Sequence, residues 1–372
     1  MIYLDNNATT PIDPRVFEAM TPYLTTLYGN PSSLHRHGRF VRTAIDQARE
    51  QVAKLAGTSA SNVFFTSGGT EANNLAISGV MRGQASPQRL LVGATEHPSV
   101  LKAAENINCS ELIAVDSHGQ VSAKMLEKLL ANSGTAMVSL MLANNETGVE
   151  QDIKALCDVV RQHKAIFHTD AVQAAGKIRL NFDDMQLDLM TLSSHKIYGP
   201  KGIGALCVAS DLNLQPMLTG GEQESALRPG TENVAGIIGF GMAAELALNE
   251  YEQRQAYIGQ LQTVLESGLK EIKGLNIIAE NSSRMINTTA ITLEQTDGEM
   301  LLMQLDQRGI AISSGSACSS NSKAPSPVLK AMGLSDSDAL SSVRISLGKD
   351  NTLEEVEQFL LVMKEIQQKK TP

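Results

Sequence analysis

Between residues 63 and 208 short apolar runs return at intervals: VFF at 63–65, LLV at 90–92, MVSLM at 137–141, AIF at 165–167, LMTLS at 189–193 and ALCV at 205–208. Each is too short and too continuous for an amphipathic helix, and reads as a strand buried on both faces. Stretches with helical spacing lie between several of them, notably 71–81 and 153–163. Alternation of strand and helix predicts an α/β fold with a mostly parallel sheet covered on both sides, and in such sheets ligands gather at the carboxyl ends of the strands. From 232 to about 273 the pattern is helix-compatible throughout, and its middle (243–249) gives way to the charged 250–254, as expected of a helix bridging two units. Beyond it, strands are predicted at 288–293 and 343–347 and helices near 298–308 and 353–369, a smaller α+β unit. No internal repeat is present. Residues 313–327, rich in Ser, Gly, Ala and Pro, read as a mobile loop.

Several of the apolar runs stop at residues that carry chemistry. Asp170 ends the run beginning at 165, and Lys196 follows the run at 189–193, just before the turn-forming GPKG at 199–202. Taken singly, these are an N-capping aspartate and a surface lysine. As a pair on neighbouring strand ends they fit another chemistry. A lysine amine forms a Schiff base with pyridoxal phosphate, and a carboxylate that keeps the pyridine nitrogen protonated turns the ring into an electron sink. A phosphate needs a cradle, and TSGGTEAN at 66–73 supplies glycines followed by a helix start after the 63–65 strand, although a Gly-Gly pair is commonly only a turn. His97, in ATEHP at 94–98, is placed either to open a helix or to stack on an aromatic cofactor and move protons.

At 372 residues the chain has room for about two domains at roughly 150 residues each. Apolar runs never approach the ~20 residues of a membrane span, and residues 1–5 show no basic region followed by an apolar one, so a cytoplasmic, unprocessed protein is expected. Acidic residues outnumber basic ones, 40 to 31, which gives no electrostatic ground for direct nucleic-acid binding. The four cysteines form no C-x-x-C pair, so neither a zinc site nor a disulfide framework is expected. Cys157 shares a helical face with Ile153, Leu156 and Val160, and Cys207 lies inside an apolar strand; both read as inert core residues. Cys109 has no informative context. Cys318 is surrounded by small polar residues that cannot bury it, which makes it a candidate nucleophile.

Seven segments, YLDNNATTP at 3–11, YGNPSS at 28–33, TSGGTEANN at 66–74, NNETG at 144–148, SSHK at 193–196, RPGT at 228–231 and SSGSAC at 313–318, together resemble the class V, fold-type I pyridoxal phosphate enzymes, and within them the cysteine desulfurases of the NifS and IscS kind. The resemblance spans nearly the whole chain. It implies a large domain at 15–258 with a mostly parallel seven-stranded sheet, and a small α+β domain made of 1–14 and 259–372 that carries the Cys318 loop. It further implies that Lys196 holds the cofactor as a Schiff base, Asp170 pairs with the pyridine nitrogen, His97 stacks on the ring, and Gln173 and Asn145 contact the ring-oxygen side. Gly69, Thr70, Ser193 and His195 would bind the phosphate, completed by Thr231 from the second subunit of a homodimer. Asn30 and Arg344 would grip the carboxylate of L-cysteine, and Cys318 would take its sulfur as a persulfide, leaving L-alanine, before passing it to a protein or small-thiol acceptor for iron–sulfur cluster or other sulfur-compound biosynthesis. No metal is implied. Two departures from the pattern, the end at Pro372 directly after the last helix and the loop continuation NSKAPSP at 321–327, lead to an expectation of weak docking to a housekeeping iron–sulfur scaffold. A selenocysteine lyase or another class V aminotransferase would keep Lys196 and Asp170; transamination, however, needs no such thiol as Cys318. An inactive dimeric scaffold would have no reason to keep Lys196, Asp170, His97 and Cys318 together.

Overall fold

The computed structural model describes residues 1–83, 88–132, 134–314 and 324–368. After β1 (Ile2–Tyr3), the chain builds one large sheet from β2 (Val63–Thr66), β3 (Arg89–Gly93), β4 (Ser110–Ile113), β5 (Thr135–Ser139), β6 (Ile166–Asp170), β7 (Leu189–Ser193) and β8 (Gly204–Val208). Its order is β2-β8-β7-β6-β5-β3-β4, and every pairing is parallel except the two made by β8. The exception has a simple cause. Only ten residues connect β7 to β8, too few for a helical crossover, so β8 returns antiparallel, and those ten residues include Lys196.

Both faces of the sheet are covered. Leu90, Val92, Met137, Leu189 and Leu206 pack on one side with Leu75, Ile77 and Val80 of helix Gly69–Arg82, whereas Leu91, Val138, Phe167, Met190 and Cys207 pack on the other with Val41, Ile45, Leu156 and Phe240. Alternate residues of each strand thus enter different cores, which explains why the runs read as continuously apolar. The segment expected as one long helix is two, Val234–Asn249 and Tyr251–Lys270, separated at Glu250. There the Glu250 carboxylate is held by Arg15 at 2.5 Å and Arg254 at 2.7 Å, and the backbone leaves helical geometry.

A second, antiparallel sheet runs β12 (Ser313–Ser314), β13 (Ser342–Ser346), β10 (Thr288–Leu293), β9 (Leu275–Ile277). Helices Tyr251–Lys270 and Leu353–Gln368 close its core around Leu265, Ile291, Ile345 and Phe359. β1 pairs in parallel with β11 (Ile310–Ala311), so the chain's beginning joins this C-terminal unit. Residues 5–13 then cross from this unit to the large sheet: Asn7 Nδ2 still donates to Thr288 Oγ1 of β10, whereas the Thr10 N–H donates to the His195 carbonyl and the Asp13 N–H to the Tyr198 carbonyl, both in the turn after β7. No described helix is long and apolar enough to cross a membrane.

Candidate active site

Asp170 is the last residue of β6, and its carboxylate is buried with both oxygens engaged: Oδ1 accepts the Val172 N–H at 2.9 Å and Oδ2 accepts from Asn73 Nδ2 at 2.7 Å. On the neighbouring strand β7 ends at Ser193, and a single helical turn, Ser194–Lys196, lifts the lysine over the sheet edge. Lys196 Nζ donates to the carbonyls of Asn7 and Ala8, the latter at 2.8 Å. From β2 the chain turns through Gly68 into helix Gly69–Arg82, and from β3 it turns into His97, which caps helix Pro98–Glu105. These strand ends surround one cavity of about 350 Å3, whose walls include Gly69, His97, Asp170, Lys196 and, from β13, Arg344.

Burial sets the electrostatics here. It lowers the basicity of His97, with Asp170 opposing and Lys196 reinforcing, and it takes His195 down to about 4 with help from Lys196, Lys201 and Lys177. Both imidazoles are therefore neutral near pH 7. Burial, with Asp170 adding to it, also pushes the Glu96 carboxyl well above its ordinary range against the Met141 N–H that it accepts. Lys177, taken down to about 7 by burial, donates to the Gln173 carbonyl and to Gln173 Oε1, and Gln173 Nε2 donates to the Asn7 carbonyl; this fixes the glutamine amide at the cavity wall. Arg344 gives Nη1 to the Asn145 carbonyl and Nη2 to Asp5, and its buried Nε has no partner among the described residues.

Ten of the residues expected at the site line the cavity: Gly69, Thr70, His97, Asn145, Asp170, Gln173, Ser193, His195, Lys196 and Arg344. Asn30 and Thr231 do not. Asn30 is exposed in the connection before helix Arg36–Ala56, where its Oδ1 accepts the Ser32 N–H, so within one protomer it does not face the cavity with Arg344. Thr231 is exposed as well. Cys318 lies outside the described residues. Sequence reasoning missed Asn7, Asn73 and Ser99, which also line the cavity. Asn7 and Asn73 sit within motifs whose individual positions carried no assigned role, and Ser99 gives no signal of its own. Cys157 and Cys207 are buried as expected, their thiols pushed up to about 11 and about 12 by burial.

The cavity fits the phosphorylated ring that the residues suggest. Its volume suits a cofactor, and a Cβ on Gly69 would come within 2.9 Å of Val172 Cγ2, so only glycine lets the helix start approach the strand ends this closely. Comparison with known proteins agrees. The class-V aminotransferase model matches residues 2–359. A cysteine desulfurase of Nostoc sp. is 44% identical over 98% of this chain and 92% of its own length. The chain belongs to the class-V aminotransferase family, among its cysteine desulfurases. Among solved structures, the NifS-like protein from Rickettsia africae superposes with a TM-score of 0.91 at 39% identity, covering 98% of this chain and 99% of that one. SspA, solved in complex with cysteine, does so with a TM-score of 0.84 at 33% identity, covering 95% and 100%. The desulfurase fold accounts for the large, mostly parallel sheet, and the chain is a pyridoxal phosphate-dependent enzyme of this kind.

Proposed function

We propose that the chain converts L-cysteine to L-alanine with pyridoxal phosphate held at Lys196, and passes the sulfur through Cys318 to a protein or small-thiol acceptor. The observation that carries this reading is the convergence of Lys196, Asp170 and His97, from three strand ends, on one cavity walled by Arg344. Bound there, pyridoxal phosphate supplies an electron sink for negative charge at the substrate's α-carbon. The Asp170 carboxylate, oriented by its two donors, would pair with the ring nitrogen. Gln173 and Asn145 face the ring-oxygen side. The backbone at Gly69 and Thr70, the Ser193 hydroxyl and a neutral His195 bind the phosphate, and Thr231 of a second copy completes that set.

Arg344, whose Nε has no partner among the described residues, would receive the substrate carboxylate. Lys196 Nζ would take the α-proton of the substrate, and His97 would stack on the ring and exchange protons with substrate. The Cys318 thiolate attacks the substrate sulfur: an S–S bond forms, the C–S bond breaks, and its electron pair passes to the three-carbon skeleton, which takes up protons and leaves as alanine. A dimer is supported by Phe17, Leu24, Tyr28, Leu34 and Phe40, all exposed within one stretch of chain before and along the start of helix Arg36–Ala56. The division into a large domain, 15–258, and a small one, 1–14 with 259–372, is part of the same reading and follows the two sheets.

Incubation of holoenzyme with L-cysteine, with alanine assayed and the Cys318 peptide weighed, tests this. Alanine with a persulfide on Cys318 is expected. Absence of alanine, or sulfur on another cysteine, overturns the reading.

A further inference from the structure

His97 Nδ1 accepts the Ser99 backbone N–H at 3.1 Å and lies 2.7 Å from Ser99 Oγ. Asn73 Nδ2 donates to that hydroxyl at 2.8 Å and to Asp170 Oδ2 at 2.7 Å. An amide nitrogen carries two hydrogens, so it serves both. The opposite amide orientation would set Asn73 Oδ1 against a carboxylate oxygen, acceptor against acceptor; Asp170 thereby fixes the asparagine. Since Ser99 Oγ accepts from Asn73, its own hydrogen is directed at His97 Nδ1. Two donors on Nδ1 leave no place for a proton there, and the hydrogen of the neutral ring resides on Nε2, the nitrogen away from the helix. Asn73 and Ser99 are buried, and Asn73 Oδ1 has no partner among the described residues. An apolar side chain would avoid that cost, so the amide is not explained by packing.

We propose that Asn73 and Ser99 are positioning residues that lock His97 in its Nε2–H tautomer and tie that choice to the Asp170 carboxylate. The inference rests on the reading of His97 as the ring-stacking, proton-exchanging group, and adds how the protein fixes which nitrogen holds the proton. The charged groups facing His97 are Asp170 from the end of β6 and Lys196 from the turn after β7, and they act in opposite senses.

The test is nitrogen NMR of holoenzyme carrying 15N-histidine, without substrate, in which His97 is recognised among the seven histidines by its loss in His97→Gln. The wild-type ring is expected to show a lone pair on Nδ1 and a hydrogen on Nε2. In Ser99→Ala the hydroxyl donor to the neutral ring is gone while the backbone N–H on Nδ1 remains, so the titration midpoint rises by about half to one pH unit with the neutral ring still carrying its hydrogen on Nε2. Ser99→Thr keeps the hydroxyl and restores the wild-type pattern. Asn73→Ala frees the hydroxyl to accept, which shifts His97 in the same sense as Ser99→Ala; if this variant does not fold, the two Ser99 variants decide. A hydrogen on Nδ1 in the wild type, or no change in Ser99→Ala, overturns the proposal. If the spectra behave as expected but L-cysteine yields no alanine, the proposed activity fails and the tautomer lock stands.

Discussion

Single residues decide the chemistry. Replacing Lys196 with Ala should abolish alanine formation with the fold intact, and borohydride reduction of wild-type holoenzyme followed by peptide mapping should place the pyridoxyl group on Lys196; a label on another lysine contradicts the assignment. Lys196 and Asp170 were legible in the sequence because an apolar strand stops at or just before each, and strand ends are where ligands meet such sheets. His97 is the helix cap of one of its readings, and the contact that makes it so, the Ser99 N–H on Nδ1, is also the one on which the proposed tautomer rests. Asn73 and Ser99 were not legible: their meaning depends on which strand ends become neighbours, which no local pattern encodes. The same holds for Glu146, whose carboxyl burial pushes up to about 7 against the opposing Ser326 hydroxyl and Arg344. A raised folded value favours the neutral form, so its contribution to stability is complete below the ordinary 4.5 and is lost as pH climbs through about 7. Urea unfolding at about pH 5 and about pH 8 should therefore show wild type losing stability, on the order of 1–3 kcal/mol, that Glu146→Gln does not lose.

At the scale of elements, packing tightness is what turns a common glycine pair into a cradle. A methyl group at Gly69 would press on Val172 Cγ2, the end of a stiff β-branched side chain beside Asp170, so Gly69→Ala must displace either the helix start or the strand end. Overpacking of this kind costs about 1–3 kcal/mol, and it should appear as weaker cofactor retention in equilibrium dialysis, with a smaller change in thermal unfolding. Cofactor affinity equal to wild type would show that the helix start yields freely. The strands of the large sheet were predictable where both faces are buried. β4 was missed because it is an edge strand whose first three residues, Ser110, Glu111 and Leu112, are exposed, so no continuous apolar run marks it. The break at Glu250 was hidden for the opposite reason: the local sequence suits a helix, and the partners that hold it open, Arg15 and Arg254, include one from the far end of the chain.

At the scale of the molecule, one protomer gathers Lys196, Asp170, His97 and Arg344 but leaves Thr231 exposed and off the cavity wall, beside a chain whose apolar Leu24, Tyr28, Leu34 and Phe40 are also exposed. If a second copy covers those side chains and lends Thr231, the unit of activity is the dimer and the two sites share residues across its axis. Mixed dimers separate this arrangement from a Thr231 that serves its own chain. Lys196→Ala protein retains Thr231, and Thr231→Ala protein retains Lys196. After unfolding and refolding together in equal amounts, half the dimers are mixed, and in each mixed dimer one site has both its lysine and its borrowed threonine while the other lacks both. Activity should then recover to about a quarter of wild type by that count of intact sites, well above the sum of the two variants measured apart. Were Thr231 to act on the cavity of its own chain, every site in the mixture would lack one group or the other, and mixing would restore nothing.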